Sequence, residues 1–319
     1  LAFFCVDHTE VWMTTKLAGK NTYFLPFNQG SNGAGNDGGK GNPANPDGYP
    51  TAYLWENVFQ KDSMMDILQK FMSLQDGKTL IFPRYHQLDV VRKLVADVRQ
   101  KGAGQHYLIQ HSAGSGKSNS IAWLAHQLTG LEDAQGNLLV DSVIVVTDRV
   151  VLDKQIRDTI RQFAQTRNII AWAEHSGDLR KAIEDGRRII ITTIEKFPYV
   201  LPEIGEDHKD RHFAIIIDEA HSSQNGKTAG TMNMTLSAIM SDPDMDNEDK
   251  INAMCEGKKL LTNASYFAFT ATPKNKTLET FGTAYEDAGV IKHRPFHVYT
   301  MKQAIQEGFI LDVLKYYTP

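Results

Sequence analysis

Residues 107–118 read YLIQHSAGSGKS. A short apolar run leads into small residues, and a Lys-Ser pair then opens the amphipathic stretch NSIAWLAHQL (119–128). This order predicts a strand, a tight loop and a helix, the context in which a Gly-rich loop can cradle phosphate. Small side chains at Ser112, Ala113, Gly114, Ser115 and Gly116 let backbone N–H groups curl around an anion, and the following helix turns its positive end toward it. Lys117 then reaches the outer phosphates as a point charge, and Ser118 offers its hydroxyl to Mg²⁺. One position departs from the usual pattern. Glycine normally stands six residues before the lysine, and this chain has His111 there. The Gly114–Ser118 core is intact.

Outward from this loop the chain alternates strand and helix. SVIVVT (142–147), RIIITT (188–193), FAIIIDEA (213–220) and YFAFTAT (266–272) read as strands, with NIIAWA (168–173) a shorter one. Helices are predicted over 117–129, 152–164 and 178–185. Continuous β-branched runs separated by helices predict an α/β fold, a doubly wound parallel sheet covered on both faces. Upstream, Leu88, Val91, Leu94, Val95 and Val98 give 85–101 one apolar helical face. Over 51–75 the same reasoning places Leu54, Val58, Met65, Leu68, Phe71 and Met72 on a buried face. Residues 1–27 read as β, and the Gly/Asn/Pro-rich tract 28–50 as a long loop or linker that supports no packed element. Residues 241–258 are acidic and read as a surface insertion.

A second cluster of chemistry lies far downstream. IIIDEAH (215–221) sets Asp218 and Glu219 at the end of a buried apolar strand. Asp218 is placed as the Mg²⁺ partner, and Glu219 to orient and deprotonate an attacking water. In FTATP (269–273), Thr270 and Thr272 are placed to hydrogen-bond across to Asp218–His221 and report the state of the nucleotide.

Composition limits the remaining classes. The chain has 319 residues, 41% of them hydrophobic, and a net charge of −4, so no overall basic signature marks a nucleic-acid binder; local backbone contacts need none. Cys5 and Cys255 lie far apart and suit a reduced, intracellular (cytoplasmic) compartment rather than a disulfide framework. No stretch approaches a membrane span. The chain opens at Leu1 inside a predicted strand without an initiator Met, as expected of a fragment.

In order, GSGKS, DEAH and TATP resemble motifs I, II and III of superfamily-two helicases and translocases. The resemblance implies a RecA-like first motor domain using ATP and Mg²⁺, with Lys117 and Glu219 catalytic and Gln87 of RYHQLDVV (84–91) contacting adenine. It also implies contacts of Thr147, Arg149, Thr193 and Lys196 with the double-stranded DNA backbone, from VVTDRVVLDKQ (145–155) and TTIEKF (192–197). The segments 11–30, 53–71, 84–94 and 107–128 resemble the restriction subunit of type I restriction-modification enzymes, and GFILDVLKYY (308–317) resembles its lead toward a second motor domain. That resemblance divides the chain into the last strands of a nuclease-like α/β domain plus a loop (1–50), a helical linker (51–82), the motor domain (83–290) and a connection (291–319). It implies specificity and methyltransferase subunits as partners. The Asp…Glu-x-Lys nuclease signature is missing upstream of the phosphate loop, since Asp7 and Glu10 lack the following lysine. The resemblance also implies a second RecA-like domain whose arginine finger would complete the ATP site, so this stretch alone is expected to bind ATP but turn it over poorly and not translocate. A repair or remodelling motor without nuclease, and a nucleotide-gated DNA-binding module, remain alternatives.

Overall fold

The computed structural model describes residues 1–75, 77–147, 170–173, 176–196, 208–218 and 261–312, with isolated positions 159, 160, 204, 249, 250, 252 and 253. The chain begins with β1 (Phe3–Val6), β2 (Val11–Thr14) and β3 (Leu25–Pro26), a three-stranded antiparallel sheet. A π-helical turn at Leu54–Val58 precedes α1 (Lys61–Lys70). The hairpin β4 (Ser73–Gln75) and β5 (Thr79–Ile81) then leads to α2 (Tyr85–Lys101).

From here the predicted alternation holds. The described elements are β6 (His106–His111), α3 (Lys117–Leu128), β7 (Ser142–Thr147), β8 (Ile170–Trp172), α4 (Ser176–Glu184), β9 (Ile189–Thr193), β10 (Phe213–Asp218) and β11 (Ala264–Thr270). After them come α5 (Asn275–Phe281), the hairpin β12 (Thr283–Asp287) and β13 (Val290–Arg294), β14 (His297–Tyr299) and α6 (Met301–Gln306). Seven strands form one sheet in the order β14-β6-β11-β10-β7-β9-β8, and every neighbouring pair is parallel.

Alternate residues of each central strand enter two separate cores. On one face Ile109, Val143, Val145, Ile216, Phe267 and Phe269 pack with α2 and α3. On the other, Leu108, Ile144, Val146, Ile215, Ile217 and Ala268 pack with Leu179 and Ile183 of α4 and Phe281 of α5. Burial on both faces explains why these strands read as unbroken apolar runs rather than alternating ones. The N-terminal sheet adds Val11, Met13 and Phe27 to the first core. Phe4 meets Phe27, Phe59 and Phe82 edge-on at 5.4, 5.1 and 5.7 Å, the arrangement that aromatic quadrupoles favour.

Two expectations need correction. Over 51–75 Leu54, Val58 and Phe71 are buried as expected, together with Thr51, Ala52, Tyr53 and Ile67, while Met65 and Leu68 are 46% and 48% exposed. The break at Phe59–Gln60 between the π-turn and α1 resets the helical phase, so a face extrapolated across it fails. The Gly-rich tract is also more than a linker. Gly30, Gly33, Gly35 and Gly41 adopt left-handed backbone, and the loop docks on the seven-stranded sheet and α2, with Val298 N–H bonded to Gly35 O at 2.9 Å and Lys93 Nζ to Ala34 O at 2.9 Å. The predicted helix 152–164 and the acidic stretch 241–258 lie almost wholly outside the described residues.

Leu94 is fully buried on α2 at the centre of the first core. Leu94→Ala is expected to cost about 2–5 kcal/mol of stability, through lost transfer energy and a residual cavity, read as a lowered midpoint in urea unfolding.

Candidate functional site

A parallel sheet brings all its carboxyl ends to one edge, and the candidate residues gather there. The register pairs Asp218 with Thr147 on one side and Phe269 on the other. Thr147 pairs in turn with Thr193, and Thr270 with Gln110 at the end of β6. Asp218 thus lies two strand spacings, about 10 Å, from the strand that launches the phosphate loop. Helix α3 packs against β10 and β7, so its first turn stands over the same edge.

Between β6 and α3 the loop winds through left-handed residues at Gly114 (φ +75°) and Gly116 (φ +80°). The left-handed backbone at Gly116 favours glycine, and a side chain there would meet Gln87 Nε2 at 2.5 Å and displace that amide. Lys117 Nζ folds onto the loop's own carbonyls, at 3.2 Å from His111 O and 3.3 Å from Ser112 O. The Ser112 and Ser115 hydroxyls are buried with no hydrogen-bond partner among the described residues. A glycine-built cradle, a lysine held by its rim and unsatisfied hydroxyls together fit a phosphate group with its metal. Ser118, in the first turn of α3, is half-buried, and Asp218 is buried.

Gln87 is buried on the first turn of α2. Its Oε1 accepts the Arg84 N–H at 3.0 Å, and its Nε2 donates to Gly116 O at 2.9 Å. Its amide therefore braces the loop from behind. The Arg84 guanidinium lies 3.5 Å over the Phe309 ring, and burial lowers its pKa to about 10.

A group of buried histidines surrounds the loop's origin, and only His111 stood out in the sequence. His86 Nε2 lies 3.0 Å from Ser115 O, and its ring stacks on Tyr299 at 3.9 Å and 10°. His111 Nε2 meets His297 Nδ1 at 2.8 Å, and His297 Nε2 meets Asp89 Oδ2 at 3.0 Å. Burial pushes His86 down to about 3 and His111 well below its ordinary range. It also lowers His297, against the pull of Asp89. Burial tends to raise the Asp89 carboxyl, but hydrogen bonding and charge from His297 and Lys93 outweigh it and leave the pKa lowered. Tyr299 O accepts the Ser112 N–H at 2.9 Å, and the Tyr299 hydroxyl donates to Glu307 Oε2 at 2.6 Å. The adjacency of His86 to Gln87 was the available sequence signal. His297 and Tyr299 carry none, because a three-residue strand has no periodicity to read.

The remaining predicted residues sit as follows. Thr270 is buried, and its hydroxyl has no hydrogen-bond partner among the described residues; most of its expected partner segment, 219–221, lies outside them. Thr272 is exposed, and Ala113 and Gly114 line the open side of the loop. Thr147 is fully buried, and its hydroxyl has no hydrogen-bond partner among the described residues. Thr193 is half-buried, and Lys196 Nζ donates to Ala173 O at 3.2 Å. Glu219, His221 and Arg149 lie outside the described residues.

Residues 86–318 match the SWI2/SNF2 ATPase family. The chain belongs to this family. The match takes in His86, Gln87, the phosphate loop and the strand ending in Asp218. Among curated proteins, this family member is 28% identical over 186 residues to the C-terminal part of a type I restriction enzyme endonuclease subunit from Mycoplasma pneumoniae, covering 54% of this chain and 86% of that sequence. It is 24% identical over 264 residues to a type I restriction enzyme endonuclease subunit from Staphylococcus aureus MSSA476, covering 80% of this chain but 24% of that subunit's length. Among solved structures it resembles a fragment of an HsdR subunit of a type I restriction enzyme from Vibrio vulnificus YJ016, at 17% identity and a TM-score of 0.42, over 83% of this chain and 38% of that one.

The buried imidazoles set a pH dependence for this SWI2/SNF2 domain. Unfolded, they titrate near about 6.5, whereas burial keeps them neutral when folded. The unfolded state takes up protons first, so their contribution is fully favourable above that value and declines as pH falls below it. The melting temperature should drop between about pH 8 and about pH 5.5, and His111→Gln should flatten that drop. An unchanged slope in the variant would contradict this account.

Proposed function

We propose that this chain is the ATP-driven DNA-translocating motor domain of a type I restriction endonuclease subunit. The observation that carries this reading is the glycine cradle at 114–116 opening into Lys117, with Asp218 at the same sheet edge. Family membership and the named relatives support it.

In this reading Gly114, Ser115 and Gly116 offer backbone N–H groups to the phosphates of ATP. Lys117 leaves its rim carbonyls to meet the outer phosphates, and Ser118 and Asp218 hold Mg²⁺. The metal, when bound, neutralises charge developing on the transferred phosphoryl group. Glu219 orients and deprotonates the attacking water, and Thr270, Thr272 and His221 couple that step to movement. Gln87 contributes to adenine recognition from its position behind the loop. DNA is held through its backbone by Thr193, Lys196, Arg149 and Thr147, with target choice and methylation left to separate subunits. Residues 1–27 would close a nuclease domain. The cytoplasm is the natural site of such an enzyme; among the described residues no helix is long and apolar enough to cross a membrane.

Removing the phosphate-directed charge with Lys117→Ala should lower DNA-stimulated ATP hydrolysis on the order of 100-fold, measured as phosphate release in the complete subunit. Retention of full turnover would end the motor reading. Duplex binding should weaken steeply between about 50 and about 200 mM salt, with little dependence on duplex sequence, measured by fluorescence anisotropy.

A further inference from the structure

A phosphate-binding loop has a requirement that its ligand side does not reveal. To aim successive N–H groups at an anion, the intervening carbonyls must turn away from it, into the protein. Turned-in carbonyls are buried acceptors, and leaving one unpaired is costly. In this chain the two carbonyls that precede Lys117 are met by adjacent residues of one helical turn. Gln87 Nε2 donates to Gly116 O at 2.9 Å, alongside the Asn119 N–H of α3 at 3.1 Å, and reaches Ser115 O only at 3.5 Å. His86 Nε2 lies 3.0 Å from Ser115 O.

The chemistry at His86 fixes its protonation. A carbonyl only accepts, so Nε2 must carry the hydrogen. The ring is buried and lies flat on Tyr299. Tyr299 is itself anchored at both ends, by its carbonyl on the Ser112 N–H and by its hydroxyl on Glu307. The loop is thus gripped at Ser112, Ser115 and Gly116, from α2 on one side and β14 on the other.

We propose that His86 is a positioning residue of the nucleotide site: its Nε2–H donates to the Ser115 carbonyl and holds the loop in its anion-binding form, with Tyr299 as its platform. This rests on the nucleotide-binding reading and adds a residue whose role is separate from base recognition by Gln87. His86 does not touch the phosphates; it acts through the backbone that does.

Two substitutions in the complete subunit separate donor from packing. His86→Phe keeps an aromatic ring on Tyr299 and removes the N–H. His86→Gln removes the ring and keeps a donor able to reach the carbonyl. The probe is Mg²⁺ with a fluorescent ATP analogue, titrated to a Kd, alongside KM and kcat for ATP hydrolysis and the melting temperature without nucleotide. For His86→Phe, Kd and KM should rise on the order of tenfold, with kcat within about twofold and the melting temperature lowered no more than in His86→Gln. His86→Gln should retain most of the affinity. A His86→Phe variant that binds like the wild type overturns the inference. So do equal losses in both variants that track a fall in melting temperature, because that pattern is packing alone. A wild-type protein that fails to bind the analogue overturns the nucleotide reading itself, and this inference with it.

Discussion

All seven strands of the main sheet run the same way, and the rest of the arrangement depends on this. Parallel pairing needs a crossover between neighbours, which places helices on both faces and buries every central strand. It also delivers every strand's carboxyl end to one edge. Residues far apart in sequence, at the phosphate loop, Asp218, Thr147, Thr193 and Thr270, therefore become neighbours without any long-range motif bringing them together. Ligand sites in such sheets form where the loops leave that edge.

The sheet edge sets position, and the elements behind it set conformation. The loop's glycines permit a left-handed path but do not dictate it. His86 and Gln87 on α2, and Tyr299 on β14, contact the backbone at the points where its direction matters. Two elements on opposite sides of the loop in sequence thus share one short stretch of chain. β14 leads directly into α6, Phe309 and Ile310. Ile310 Cγ2 would lie 3.2 Å from a side-chain carbon at Gly114. The segment after α6 is therefore packed against the same loop.

Much of this was readable from the sequence where the physical signal was redundant. β7 and β10 declared themselves because burial on both faces demands continuous apolar residues, and α2 because five apolar positions share one side. The phosphate loop was legible because glycine spacing, a preceding strand and a Lys-Ser helix start all agree. The misses have equally local causes. Met65 and Leu68 failed because a helical face was carried across a break in phase. β14 is too short to show alternation, and both faces of the β12–β13 hairpin are exposed, so no hydrophobic period marks it. The histidine group was hidden because its members, at 86, 111 and 297, converge only through the β14–β6 pairing.

The docked Gly-rich loop has a further effect. β14 is an outer strand of the sheet, and an open strand edge offers unpaired backbone groups to any other extended chain. Gly35 takes up the Val298 N–H, the one described backbone bridge on that flank outside the named strands. A glycine at the point of contact lets the tract follow the strand closely enough to do this. The tract thereby occupies one backbone position of an edge that another extended chain could otherwise pair with.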